Sequence, residues 1–453
     1  MELTDNIRNL ILKYNRPGPR YTSYPTAPHF SSDADREELK RHAATQDGAA
    51  SLYVHIPFCE SNCWFCGCNT IITTRRKSAD AYLDLLAREI ALFNEQLSDR
   101  RRVTQIHFGG GTPNFLAVEQ IERLFSILHK GFEISGEAEF SVELAPNYLT
   151  EAQLDAFARN GLTRASFGIQ DIQPDVQRAI NRIQPQEVNQ TTILRLRERG
   201  ISSVNIDLIY GLPYQTTDSY LDTLESVIAL NPDRLAVFNY AHVPHMKPYQ
   251  SKLERHPMPT PDTKIDLLLT IIRKLNEADY RYIGMDHFAK PDDELHLAQQ
   301  EHRLHRNFQG YTVQDERQLI ALGISAISET PYTYRQNHKT YEAYRQSLEQ
   351  GEWPISRGIV ITEEDYVRRS MIQSVMCNLR FNYSDYSETN PDLFPIVMEG
   401  IKPHLPELER DGLIECHANG FRVTDLGRLF LRNIAMIFDA YLGIGEAKYS
   451  KTV

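Results

Sequence analysis

The 453-residue chain has little cysteine, two tryptophans and no long apolar run. No stretch approaches the ~18 uninterrupted apolar residues of a membrane span. The opening segment, MELTDNIRNLILKYNRPGPRYTSYPT, has its apolar positions broken by Asp5, Arg8 and Lys13. No small-residue cleavage site follows, so no secretory leader is expected. Positive charge is also in deficit: 49 Lys and Arg stand against 60 Asp and Glu, a net charge of −11. An acidic chain lacks the basic face of a general nucleic-acid binder, and no nucleic-acid partner is expected. There is no low-complexity tract and no clear repeat. Six cysteines are too few for a disulfide framework in a chain of this size. With no leader and no span, a reducing cytoplasmic setting is expected. The 41% hydrophobic and 24% charged residues are those of an ordinary globular enzyme.

What is present is an alternation. Short apolar runs at 51–56, 103–108, 138–144, 162–168, 203–209 and 234–239 read as strands. Segments with helical apolar spacing lie at 80–97, 117–130, 150–160, 186–199, 217–230 and 262–278. Strand and helix in turn mean βα units on a parallel sheet, here an α/β partial (β/α)6 barrel over 51–289. In such barrels the chemistry sits at the C-terminal strand ends. Residues 1–50 read as an entry segment over the barrel mouth. A short helical pattern there (Ile7, Leu10, Ile11, Tyr14) meets a proline-punctuated loop whose Tyr21 and Tyr24 need something to pack on. Residues 290–453 read as a mostly helical lid domain. Its end resembles a winged helix, with Asn419-Gly420 as a hairpin signal. The last 53 residues carry 7 basic and 7 acidic side chains, which does not favour a DNA footprint.

Four of the six cysteines, Cys59, Cys63, Cys66 and Cys68, fall within ten residues, directly after the first strand. Thiolates favour zinc, Cu(I) or iron–sulfur clusters. Structural zinc prefers two separated ligand pairs, and no second Cys-x2-Cys is present. One short loop wrapped around an iron–sulfur cube fits better, although zinc stays open on spacing alone. Cys68, two residues after Cys66, is either a ligand or a residue that tunes the site without ligating. The run Gly109-Gly110-Gly111-Thr112 follows the second strand. It has neither Rossmann nor Walker A spacing, and reads as a tight turn or a backbone cradle for a carboxylate.

Cys59-x3-Cys63-x2-Cys66 resembles the signature of radical S-adenosylmethionine enzymes. More narrowly, YVHIPFCESNCWFCGCN (53–69) resembles the oxygen-independent coproporphyrinogen III oxidases. GPRYTSYPTA (18–27), FGGGTPNFL (108–116), NIDLIYGLP (205–213), YIGMDHFAKPDDEL (282–295) and HRNFQGYTVQ (305–314) are similar to the same family. The likeness spans about residues 8–445. Departures are Trp64, where a tyrosine is usual, Ala145, where an aspartate is, and ETPYTYRQN (329–337), which lacks a Gly-Asp pair.

The resemblance implies a 4Fe–4S cluster on Cys59, Cys63 and Cys66. One iron would stay open for S-adenosylmethionine, whose reductive cleavage gives a 5′-deoxyadenosyl radical. It implies a first S-adenosylmethionine near Tyr53, Gly110, Glu143, Gln170 and Arg182. A second would lie near Phe65, Gly111, Thr112, Asp207, Ala241 and Ile327, and Cys68 would have a catalytic part. The implied reaction converts two propionates of coproporphyrinogen III to vinyl groups, giving protoporphyrinogen IX in haem synthesis. It needs an unidentified electron donor and acceptor, and a monomer is expected. Arg16, Arg20, Arg303 and Arg306 are candidates for binding the four substrate carboxylates. Two other readings are a haem chaperone of the same superfamily and an iron–sulfur sensor with a DNA-binding winged helix. The chaperone branch typically lacks Cys68, RYTSYPT and FQGYT, all present here.

Overall fold

The structure is a computed structural model that describes residues 5–314, 318–444 and 449–452. The six apolar runs become six parallel strands: β1 (Ala50–Ile56), β2 (Arg102–Gly110), β3 (Glu133–Leu144), β4 (Arg164–Gln170), β5 (Ser203–Tyr210) and β6 (Arg234–Asn239). They pair in chain order. One row across the sheet, Val54–Phe108–Val142–Ala165–Val204, shows why the runs are apolar, since every member is fully buried. Strands covered on both faces lose the polar alternation of a half-exposed sheet.

The helical spacings fold as α1 (Ser78–Asn94), α2 (Val118–Gly131), α3 (Glu151–Arg159), α4 (Gln186–Glu198), α5 (Thr217–Ala229) and α6 (Pro261–Glu277). Threonines start three of them. Thr150, Thr216 and Thr260 each accept the N–H of the third helical residue, at 3.2, 3.2 and 3.1 Å. These bonds satisfy donors that have no partner inside the helix. This is the partial α/β barrel the alternation predicts.

The sheet has further strands on the other side of β1. There β7 (Leu319–Leu322) pairs parallel to it, with Tyr53 opposite Ala321. The strands β8 (Ile327–Thr330), antiparallel to β7, and β9 (Thr333–Asn337), antiparallel to β8, follow, and β10 (Ile355–Val360) forms that edge. These strands are four to six residues long and lie in a stretch that reads as mostly helical from sequence. Runs so short carry too few periods to declare themselves.

The chain forms two compact units, each drawn from separated stretches. Ser32–Ala278 and the described residues of 316–358 make the barrel unit. The described residues of 1–31, 279–315 and 359–453 make the other. In the second unit the helix Asp5–Tyr14 sets Tyr14 against Phe430, ring centroids 5.4 Å apart. Tyr21 and Tyr24 find their packing there too: both are buried, Tyr21 donates to Asp439 and Tyr24 accepts the N–H of Ala440. Buried Arg432 donates to the carbonyls of Gly18, Pro19, Ser450 and Lys451. The hairpin at Asn419-Gly420 forms between strands Ile414–His417 and Gly420–Val423, with Arg380–Asn382 as a third strand.

Candidate active site

The cysteine loop leaves the C-terminal end of β1 and opens onto a cleft at the strand ends of the barrel unit. Cys59, Cys63, Cys66 and Cys68 all line it. The loop is held from distant parts of this unit. Tyr249 donates to the carbonyl of Cys66 (2.7 Å), Gln250 to that of Phe65 (2.9 Å) and Lys247 to that of Cys68 (2.7 Å). Asn181 donates to the carbonyl of Asn62 at 2.8 Å. Trp64 donates its backbone N–H to Ile180, and its ring lies under Lys252 at 4.8 Å. Phe65 reaches both ways: it lines the cleft and packs on the core of Val176, Ile180, Leu212 and Leu253.

The electrostatics differ around the loop. Burial pushes the Cys59 thiol up to about 11 and raises Cys63. A hydrogen bond from the Cys68 side chain holds Cys66 down to about 6 against its burial. The Cys68 backbone N–H (3.4 Å), Lys247 and Arg182 add to that. Cys68 is raised in turn by the same bond. Thr112 lies 3.3 Å from the Cys59 sulfur, and the Arg182 guanidinium 3.8 Å from that of Cys63.

The glycine run forms the adjoining lip, with Gly110 paired to Ile56 at the end of β1. Gly110 has φ +111, and a Cβ there would stand 2.5 Å from the His55 ring. A Cβ on Gly111 would meet the Pro57 backbone at 2.7 Å. Only glycine fits such an approach. Glu143, at the end of β3, accepts the Gly110 N–H at 3.1 Å and faces His107 at 3.4 Å. Burial would raise its carboxyl, but the His107 bond and charge, with the Gly110 N–H, hold it below its ordinary value.

At the end of β4, Gln170 sits at φ +67, uncommon for a residue with a side chain. It folds back over Gly168, where a Cβ would collide with its amide. Its Oε1 is buried without a partner among the described residues, as is the Nε of Arg182. Both residues line the cleft. Native proteins rarely leave buried polar atoms unpaired. Asp207, on β5, is pushed up to about 6 by burial and by Glu143, while the Asn205 amide holds it at 2.7 Å.

Of the anticipated residues, then, Cys59, Cys63, Cys66, Cys68, Phe65, Gly110, Gly111, Thr112, Glu143, Gln170, Arg182 and Asp207 line one cleft. Three do not. Tyr53 lies behind the wall, its ring stacked on His107 and its hydroxyl 3.0 Å from His55. Ala241, just past β6, is exposed, and Ile327 starts β8. The sequence gives no signal for His55 and His107, which meet Tyr53 and Glu143 behind the glycine lip. Lys247, Tyr249 and Gln250 gave no local signal, being some 180 residues from the loop they hold.

The donor set fits an iron–sulfur cube better than a single ion. Among the described residues no three His, Cys, Asp or Glu groups converge on one metal position.

An α/β barrel with a three-thiolate loop and a glycine lip at its strand ends defines a radical S-adenosylmethionine enzyme. The description "Radical SAM superfamily" matches residues 53–227, and "HemN C-terminal domain" matches 361–430. The chain is 45% identical to the oxygen-independent coproporphyrinogen III oxidase of Escherichia coli, over 96% of this chain and 95% of that protein. It is 42% identical to the one of Helicobacter pylori, over 97% and 98%. The solved structure of coproporphyrinogen III oxidase (HemN) from Escherichia coli, described as a radical SAM enzyme, superposes with a TM-score of 0.91 at 44% identity, covering 96% of this chain and 98% of that one. The chain belongs to the oxygen-independent coproporphyrinogen III oxidase family.

Proposed function

We propose that this chain converts two propionates of coproporphyrinogen III to vinyl groups without oxygen, giving protoporphyrinogen IX. The observation that carries the reading is the shared cleft: three cysteines on one loop share it with a glycine lip and two residues with buried, unpartnered polar atoms. When bound, the cluster and S-adenosylmethionine supply the electron and the adenosyl radical that takes a hydrogen from the propionate β-carbon.

The chain's own residues do the rest. Cys59, Cys63 and Cys66 hold the cluster, and the anchors from Asn181, Lys247, Tyr249 and Gln250 fix their spacing. Arg182 and Gln170 offer unpaired polar atoms to the cofactor's amino-acid end, and the glycine lip lets it approach the backbone. Glu143, whose pKa is held below its ordinary value, stays anionic and accepts hydroxyls. Phe65, Gly111, Thr112 and Asp207 line the same cleft, and in this reading they hold a second S-adenosylmethionine. Ala241 and Ile327 complete that set in the proposal. Cys68, at the exposed end of the loop, takes part in turnover rather than in holding iron. A monomer, a cytoplasmic setting and separate electron donor and acceptor belong to the same reading. Among the described residues no helix is long and apolar enough to cross a membrane.

The test is an anaerobic assay with coproporphyrinogen III, S-adenosylmethionine and a reductant, read by mass spectrometry. Protoporphyrinogen IX with 5′-deoxyadenosine is expected. Deoxyadenosine without porphyrin product would move the chain to the chaperone branch. Cys63→Ser is expected to lose iron, and Cys68→Ser to keep its iron and lose turnover.

A further inference from the structure

The proposed substrate carries four carboxylates, and a chain of net charge −11 must gather cations to meet them. The arginines expected from sequence are largely engaged elsewhere. Arg20 ion-pairs with Asp286, Arg303 with Glu301, and Arg306 is buried and donates to the carbonyl of Arg20. Many barrel cations are neutralised as well, such as Arg76 by Glu60 and Arg199 by Glu151 and Asp155.

Resting on the function proposed above, we propose that Lys247 and Lys339, beside Arg357, form a corner that binds a substrate carboxylate which is not the one being lost. Lys247 is held at the end of the cysteine loop by its ammonium, and Lys339 by its backbone carbonyl. Lys247 donates to the carbonyl of Cys68, and the next residue, Asn69, donates its amide to the carbonyl of Lys339 at 2.8 Å. Arg357 is aimed by Gln336 at 2.6 Å. Neither lysine lines the cofactor cleft, so the corner lies outside it, at its Cys68 edge. Among the described residues neither lysine has a carboxylate partner within ion-pair distance. Burial and the positive charges of Arg357 and Lys247 lower the Lys339 ammonium below its ordinary value. Two lysines without a carboxylate partner favour an incoming anion. Met246, 67% exposed beside Lys247, adds apolar surface suited to a macrocycle edge.

The chemistry says which carboxylate. A reacting propionate departs as carbon dioxide, and a cation that stabilises its anion in the ground state would oppose that step. A retained propionate stays anionic in substrate, transition state and product. Holding it improves binding without burdening the reaction, and places the reacting arm.

Lys339 is the cleaner probe, since Lys247 also holds the loop backbone. Coproporphyrin III, the stable oxidised form of the substrate, is titrated by fluorescence against the iron-loaded full chain. Lys339→Met is expected to weaken binding about fivefold, as one partly exposed ion pair is worth. Lys339→Glu should weaken it further and Lys339→Arg restore it, with KM rising in parallel and kcat falling less. Equal Kd values for wild type, Lys339→Met and Lys339→Glu would overturn the lysine corner and leave the decarboxylation standing. Wild type that makes deoxyadenosine but binds no coproporphyrin III would overturn both. Loss of binding that Lys339→Arg does not restore, with iron lost too, would overturn it in favour of a role in the loop fold.

Discussion

Asp207 is the residue whose charge state reports most directly on the cleft. Burial and the neighbouring Glu143 carboxylate lift it from 3.8 to about 6. It is therefore anionic above that value and loses its charge as pH falls through it. S-adenosylmethionine is a sulfonium cation, and a carboxylate in the cleft attracts it while ionised. Affinity at one of the proposed cofactor positions should fall below about pH 6 in equilibrium dialysis. Asp207→Asn is expected to remove that step and lower the bound stoichiometry. The cysteine spacing was fully legible in the sequence because all its ligands sit on one loop. The lysines, the tyrosine and the glutamine that hold the loop were not, because they meet it only through the fold.

At the scale of elements, α1 is tied to the β7–β8 turn by one buried carboxylate. Glu89 accepts from the Gly323 N–H (2.8 Å), Asn337 (2.6 Å) and Tyr344 (2.5 Å). Burial outweighs these bonds and pushes its pKa from 4.5 up to about 7. A raised carboxyl stabilises the fold fully below its unfolded value and less as pH rises through the folded one. The shift corresponds to about 3 kcal/mol, lost between roughly pH 4.5 and pH 7 to 8. Urea midpoints should decline over that window, and Glu89→Gln should flatten the decline. The six barrel strands and their helices were legible from sequence because long runs repeat their period several times. β7 to β10 were not, since each is short and finds its place only by adding to an existing sheet edge.

At the scale of the whole molecule, the second unit assembles chain segments more than 400 residues apart. Arg432 concentrates that linkage: its guanidinium donates to carbonyls of both the 18–19 and the 450–451 stretches. Arg432→Met removes those donors and leaves buried carbonyls unpaired, at a cost of about 3 kcal/mol. A lower Tm for this unit, seen as an earlier first transition in calorimetry, is the expected result. The sequence showed that Tyr21 and Tyr24 needed partners. It could not show that those partners, Asp439 and Ala440, lie at the far end of the chain.

The placement of β1 sets an order on synthesis. Its first neighbour, β2, leaves the ribosome soon after it, but its second, β7, ends at Leu322. At ~10 residues per second, β1 keeps one open edge for on the order of 20 s. During that interval the nascent cysteine loop also waits for Asn181, Lys247 and Tyr249 to be translated. Iron delivered earlier would meet loose thiols rather than a site, so maturation of this protein belongs after translation.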